Sequence, residues 1–278
     1  MERTGAVPQA EAPVSEAVEA KSPLHFVAPT EFVDLPSKGL GYGESHPMHG
    51  KDTIEIRYMT AKDEDILTSK TLLKKGIAIE RFLDNIIVDK TFKASSLLVG
   101  DRNAIIIAAR ISGYGSDYHT KVSCPACGEN SDYSFDLNKV KTHESSVDEK
   151  LGLTQTPEGY FSATMPLTKF TVQFKLLTGD DEIFLSQLAT NKAKGKLADS
   201  ALTDQYKRMI VSVQGHTERV VIDNFIDNLP TRDSRFLKNC YRVACPDVKV
   251  INEYSCTACG FEQELEVPFG ADFFWPDR

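Results

Sequence analysis

Apolar and polar positions change period several times along the chain, and the changes mark its elements. Thr53-Ile54-Glu55-Ile56-Arg57-Tyr58 alternates and predicts a strand. Thr60-Ala61-Lys62-Asp63 then sets a hydroxyl cap three residues ahead of an acid, the start of a helix. Helices are predicted over about 61–72, about 76–88 and about 101–112, the second carrying Ile79, Phe82, Leu83 and Ile86. The third, Ala104-Ile105-Ile106-Ile107-Ala108-Ala109, is apolar on every face and predicts the central helix of a small helical unit. Ahead of these helices, residues 32–41 are dense in turn formers and read as an ordered loop.

The second half alternates again. Strands are predicted over 118–123 and 132–137, then over 160–165 and 169–177 with Pro166-Leu167-Thr168 as a hairpin turn, and finally over 248–254 and 261–267. Residues 138–158 have the composition of a linker or exposed loop. Asp180-Asp181-Glu182 supplies first-turn acids for a helix ending near Lys192, Lys194 and Gly195. Further helices are expected near 199–213, 222–229 and 232–244.

Composition narrows the class. The chain has 278 residues, 41% apolar and 26% charged, with a formal charge of -8. The longest apolar run is Ala104–Ala109, far short of the ~20 residues a membrane-crossing helix needs, and no apolar signal core opens the sequence. Neither a membrane span nor secretion is expected. The acidic balance argues against broad capture of nucleic acid. Residues 1–30 hold alanine, proline and glutamate with few larger aliphatics, and are read as a flexible acidic arm.

Four of the six cysteines form Cys124-Pro-Ala-Cys127-Gly128 and Cys256-Thr-Ala-Cys259-Gly260. Random placement would give only about 0.1 such pairs, so chance does not account for two. Each knuckle turns two thiolates toward one point while its glycine takes the unusual backbone angle, and two knuckles complete a four-thiolate zinc shell. All four positions would be cysteine, leaving none open for water or substrate, so the metal is read as structural rather than catalytic. Zinc is preferred to an empty site and to an iron–sulfur cluster, which would use the same thiolates. Ribbon knuckles usually lie some 15 to 20 residues apart, whereas 128 residues separate Cys127 from Cys256. The ribbon is therefore expected to be split by an inserted unit. The longer loop costs only about 2 kcal/mol more to close, against roughly 10 to 16 kcal/mol for structural zinc. Cys240 and Cys245 read as small buried hydrophobes.

Catalytic patterns are missing. Ser123 precedes Cys124, so the deaminase His-x-Glu is lacking; Gly43–Lys51 has the wrong spacing for a phosphate loop, and Asp52 stands where a hydroxyl is needed. His46 and His49 have a ligand-like spacing without a nearby third ligand. Asp63, Glu64 and Asp65 read as first-turn helix acids. Arg232, Arg235, Lys238 and Arg242 fall near one face of the last predicted helix: a solvated face, or a dock for an acidic partner or a phosphate backbone.

Several longer strings are more specific than the cysteines. Phe32-Val33-Asp34-Leu35-Pro36-Ser37-Lys38-Gly39, the run from Ile56 to Leu67, Leu97-Leu98-Val99-Gly100-Asp101-Arg102-Asn103 and the run from Ala108 to Gly115 are four of them. With both knuckles, Arg232-Asp233-Ser234-Arg235 and Asp272-Phe273-Phe274-Trp275-Pro276, they resemble the baseplate protein family of T-even-type contractile-tailed bacteriophages, which includes the baseplate hub assembly protein. The resemblance spans residue 31 to the C-terminus. It implies a structural or assembly protein, not an enzyme, located in the virion tail baseplate and in host cytoplasm during assembly. Implied partners are other hub or tail proteins, the tape-measure protein among them, and an oligomer within the tail assembly is allowed.

The expected fold class is α+β: a flexible arm (1–30), a mostly helical unit (31–117), two halves of a split zinc ribbon (118–137 and 246–270), an inserted hairpin with helices (138–245) and an aromatic tail (271–278). Phe273-Phe274-Trp275 and the loop from Asp34 to Gly50 are candidate contact surfaces, unless the aromatics cap the protein's own core. The alternative function is a zinc-ribbon nucleic-acid-binding adaptor. Metal-dependent hydrolysis would need an open coordination position.

Overall fold

The computed structural model describes residues 28–196, 198, 200–267 and 273–274. Most of the predicted arm, together with Trp275, lies outside the described residues. The structure is mixed α/β: eight α-helices and small antiparallel sheets among the described residues.

In the first half, β1 (Thr30–Asp34) pairs with β2 (Thr53–Arg57), so the front of the predicted loop is a strand. Helix α1 (Ala61–Thr68) opens on the anticipated capping box, with Thr60 and Asp63 bonded reciprocally. The helix predicted to run to 72 instead breaks at Ser69, where the backbone is extended and the side chain caps α2 (Lys70–Lys75) by accepting from Leu72 N, and Gly76 ends α2 in the left-handed region that glycine tolerates. Helix α3 (Ala78–Ile86) buries Phe82, Leu83 and Ile86. Helix α4 (Val99–Tyr114) is the anticipated central helix, with Ile105, Ile106 and Ile107 all buried.

In the second half, β3 (Asp117–Ser123) and β4 (Asn130–Asp136) form a hairpin. β5 (Val140–His143) follows, and then β6 (Thr154–Gln155), β7 (Phe161–Thr164), β8 (Thr171–Phe174), α5 (Gly179–Lys194) and α6 (Ala201–Met209). β9 (Ile210–Val213), α7 (Arg219–Asp227), α8 (Thr231–Ala244), β10 (Asp247–Ser255) and β11 (Glu262–Glu266) complete the order. Strands β6-β7-β8-β9 make one antiparallel sheet and β11-β10-β5 another.

Two expectations change here. The predicted linker contributes β5, because β10 is long enough to pair β11 through Ile251–Ser255 while Asp247–Val250 offer an edge to β5, and β6, which pairs with the edge of β7. The helix predicted to 213 stops at Met209: Ile210-Val211-Ser212-Val213 carries three β-branched residues and completes the open edge of β8, with Val172 opposite Val213.

One hydrophobic cluster runs from Val33 through α3 and α4 to Phe161, Phe174, Leu237 and Phe274. Gly100 lets α4 lie against the start of β10, since a Cβ there would sit 2.1 Å from the Pro246 carbonyl oxygen. Phe273 and Phe274 are 1% and 2% exposed, and Phe274 meets Phe82 edge-on at 5.1 Å. These two aromatics cap the core, so they are not a contact surface; burying them removes more apolar area from water than a polar tail would. The loop from Asp34 to Gly50 also packs inward at Leu35, Tyr42 and Met48. The Asp101 carboxylate on α4 holds it, accepting from Ser37 N (3.0 Å), Ser37 Oγ (2.6 Å) and Tyr42 OH (2.6 Å). Asp34, Lys38, Leu40, Glu44, Ser45, His49 and Gly50 remain exposed.

Candidate metal centre

The cysteines sit where two hairpins turn. Strand β3 delivers Cys124, and the chain closes back through Cys124 N to Glu129 O (2.8 Å) and Gly128 N to Cys124 O (2.9 Å). Strand β10 delivers Cys256, with Cys256 N to Phe261 O at 2.8 Å and Gly260 N to Cys256 O at 2.9 Å. The two turns are built alike. Gly128 and Gly260 take φ of 75° and 70°, the left-handed conformation that closes each turn behind its second sulfur.

The ligand atoms of Cys124, Cys127, Cys256 and Cys259 all lie within 4.8 Å of one another. The contacts cross between hairpins: Cys124 Sγ to Cys259 Sγ and Cys127 Sγ to Cys256 Sγ are both 3.8 Å. These separations are too long for a disulfide. They match the edge of a tetrahedron whose centre is about 2.3 Å from each sulfur, which is roughly 3.8 Å. Cys124 and Cys256 are buried while Cys127 and Cys259 are exposed, so the cluster lies at the surface with one member of each knuckle inward. The four cysteines can hold a metal ion.

The electrostatics agree with that capacity. Backbone N–H groups of Cys259 and Ala258 donate to the Cys256 sulfur and bring its pKa down to about 6. At Cys259 the Phe261 N–H works in the same direction, but the neighbouring thiols of Cys127, Cys256 and Cys124, with burial, push it up to about 12. Four thiols this close cannot all ionise without a cation among them, because each thiolate raises the cost of the next. A divalent cation at this position would supply the missing charge.

Side chains beyond the cysteines lock the hairpins together. Asn252 is 4% exposed, accepts from Asp136 N at 3.3 Å and donates to Asp136 O at 3.4 Å. Tyr133 OH donates to Glu253 O at 2.5 Å, and the Tyr133 and Tyr254 rings meet edge-on at 5.5 Å. The sequence offered one signal for Asn252, a polar residue at an inward position of an alternating strand.

Other singled-out residues fall elsewhere. Cys240 is fully buried in the main core, and burial pushes its pKa up to about 11, an inert environment. Cys245 stands at the end of α8, where burial likewise raises it to about 11. His46 accepts from Met48 N at 3.2 Å and sits 3.0 Å from Ser96 Oγ, and His49 Nδ1 donates to Tyr42 O at 2.8 Å, so both histidines are loop fasteners. Asp63 caps α1 and also accepts from Arg57 and Asn85. Arg232, Arg235, Lys238 and Arg242 are all exposed on α8.

A family model described as T4 bacteriophage base plate protein matches residues 30–275. The chain belongs to that family. The match takes in both hairpins, both knuckles and the core between them, so the cysteine cluster lies inside the matched region. No curated protein and no solved structure matches the chain significantly. Among the described residues no helix is long and apolar enough to cross a membrane.

Proposed function

We propose that this baseplate-family protein is a structural component or assembly factor of the contractile-tail hub, acting by protein–protein contact and stapled by one structural zinc. The observation that carries the reading is the cross-hairpin cluster of four sulfurs within 4.8 Å, inside a chain whose family match runs over residues 30–275. A four-cysteine shell has no open position for water or substrate, which supports a scaffold rather than an enzyme. In this reading residues 118–137 and 246–270 are two halves of a zinc ribbon, and the 138–245 segment is an insertion between them. The metal joins chain segments more than a hundred residues apart. Partners are hub or tail proteins, including the tape-measure protein, met in host cytoplasm before the tail is complete.

The test is recovery of the tagged full chain from infected cells, with mass spectrometry of its partners and metal analysis of the same eluate. Hub and tape-measure proteins with about one zinc per chain are the expected result. Nucleic acid without tail proteins overturns it. The second reading, a nucleic-acid adaptor, draws on the four exposed cations of α8. It requires DNA or RNA affinity that falls steeply between 50 and 200 mM salt, roughly a thousandfold or more for six phosphate contacts.

A further inference from the structure

Two of the four exposed cations of α8, Lys238 and Arg242, border a cleft of about 630 Å³. They line it together with Asp247 and Lys249 of β10 and Leu202 of α6, among others. Its charge is only partly answered within the fold. Lys249 reaches Glu266 at 3.1 Å and Asp247 at 3.9 Å. Arg242 donates to the uncharged Asn239 at 2.8 Å, and Lys238 has no ion pair among the described residues. Leu202 is 47% exposed at the apolar side. The cleft therefore offers cations and apolar surface together, a fit for a segment with acids and small aliphatics in alternation.

The chain itself contains such a segment. Residues 11–19 read Glu-Ala-Pro-Val-Ser-Glu-Ala-Val-Glu, three acids with no base between them and two valines four apart. Twenty-seven residues precede Ala28 and can span roughly 90 Å when extended. A folded unit of about 250 residues has a radius of gyration of only roughly 18 Å, so every face is within reach.

We infer that the acidic segment 11–19 docks in this cleft, its carboxylates answering Lys238, Arg242 and Lys249 beside the exposed Leu202. The cleft is then occupied in the isolated chain, and another acidic segment enters only by displacing the chain's own. This inference does not rest on the hub reading, since it concerns the isolated protein.

The test is zero-length carbodiimide cross-linking of the full chain, which joins a carboxylate to a lysine amine with loss of water, read by peptide mass spectrometry. Equal amounts of natural-abundance and 15N-labelled chains are mixed beforehand. The expected result is same-chain cross-links from Glu11, Glu16 or Glu19 to Lys238 and Lys249, reduced about fivefold or more when salt is raised to 0.5 M. Arg242→Glu, which leaves both lysines and all three glutamates in place, gives a similar reduction. Cross-links spread evenly to distant exposed lysines such as Lys51 and Lys74, or none to the cleft, overturn the inference. Cross-links found only between differently labelled chains overturn it too, and assign the cleft to a second copy's segment.

Discussion

On the proposed structural-zinc reading, removing the metal should unfold the two hairpin tips and leave the body of the protein standing. The perturbation is a zinc chelator, or Cys256→Ser, which removes a buried ligand. The magnitude follows from how little else holds the tips. Cys124, Tyr254 and Cys256 form a small buried cluster of their own, flanked by Val122, Tyr133, Phe261 and Leu265, of which Val122, Tyr133 and Leu265 also touch the main core. Burial of Tyr254 contributes about 2–3 kcal/mol, the Tyr133–Tyr254 edge contact about 1 kcal/mol, and the Tyr133–Glu253 hydrogen bond about 1 kcal/mol. Structural zinc supplies roughly 10–16 kcal/mol, several times that total. The main core, from Phe82 through Ile105 to Phe174 and Leu237, takes in none of the four cysteines and should keep its packing. Native-state hydrogen exchange reads the two regions separately. The amides of Cys124, Gly128, Cys256 and Gly260, each bonded within its knuckle, should lose protection by at least about a hundredfold, a loss of roughly 3 kcal/mol. Amides of α4 should change by less than about threefold. Unchanged knuckle amides after stoichiometric metal release would refute the structural role. Simultaneous loss of protection in α4 would refute the separation of the two cores.

Three further outcomes can be checked by denaturant titration. Asn252→Leu orphans the Asp136 N–H and C=O it now satisfies, and should cost about 2 kcal/mol while shortening the lifetime of the hairpin pair. Asp233→Ala should cost about 3–5 kcal/mol, because this fully buried carboxylate accepts from Leu167 N, Thr168 N and Thr168 Oγ1 at 2.8, 2.9 and 2.8 Å. Burial works to raise the Asp233 pKa, but the Thr168 and Leu167 donors outweigh it and hold it below the usual value. Its contribution is thus present above about pH 4 and is lost as pH falls through the lower folded value, so wild type and Asp233→Asn should converge in acid; a constant difference would refute the assignment. Gly100→Ala should cost about 3 kcal/mol or more, since the methyl group meets the Pro246 carbonyl and α4 must move off β10; an unchanged midpoint would contradict that contact.

Local chemistry made much of this protein legible from its residues. The capping box at Thr60 and Asp63, the all-apolar face of Ala104–Ala109 and the period-2 runs beside each knuckle state local preferences that the fold keeps. The knuckles were equally legible, because Cys-x-x-Cys-Gly is a local turn whose geometry needs no distant partner. The family strings added a baseplate identity that periodicity alone does not carry.

Elements decided by a distant edge were not legible. Ile210–Val213 continues a helical pattern in sequence and becomes β9 because β8 leaves an edge to fill, and β5 forms in a polar stretch because β10 is long. Phe273 and Phe274 look like an exposed tail until Phe82 and Tyr118 are placed beneath them. Sequence determined which groups could make a turn, a cap or a thiolate pair, because those interactions lie within a few residues. Only the tertiary structure decided that sulfurs 135 positions apart in the chain stand 3.8 Å from each other, because meeting across that distance depends on everything folded between them.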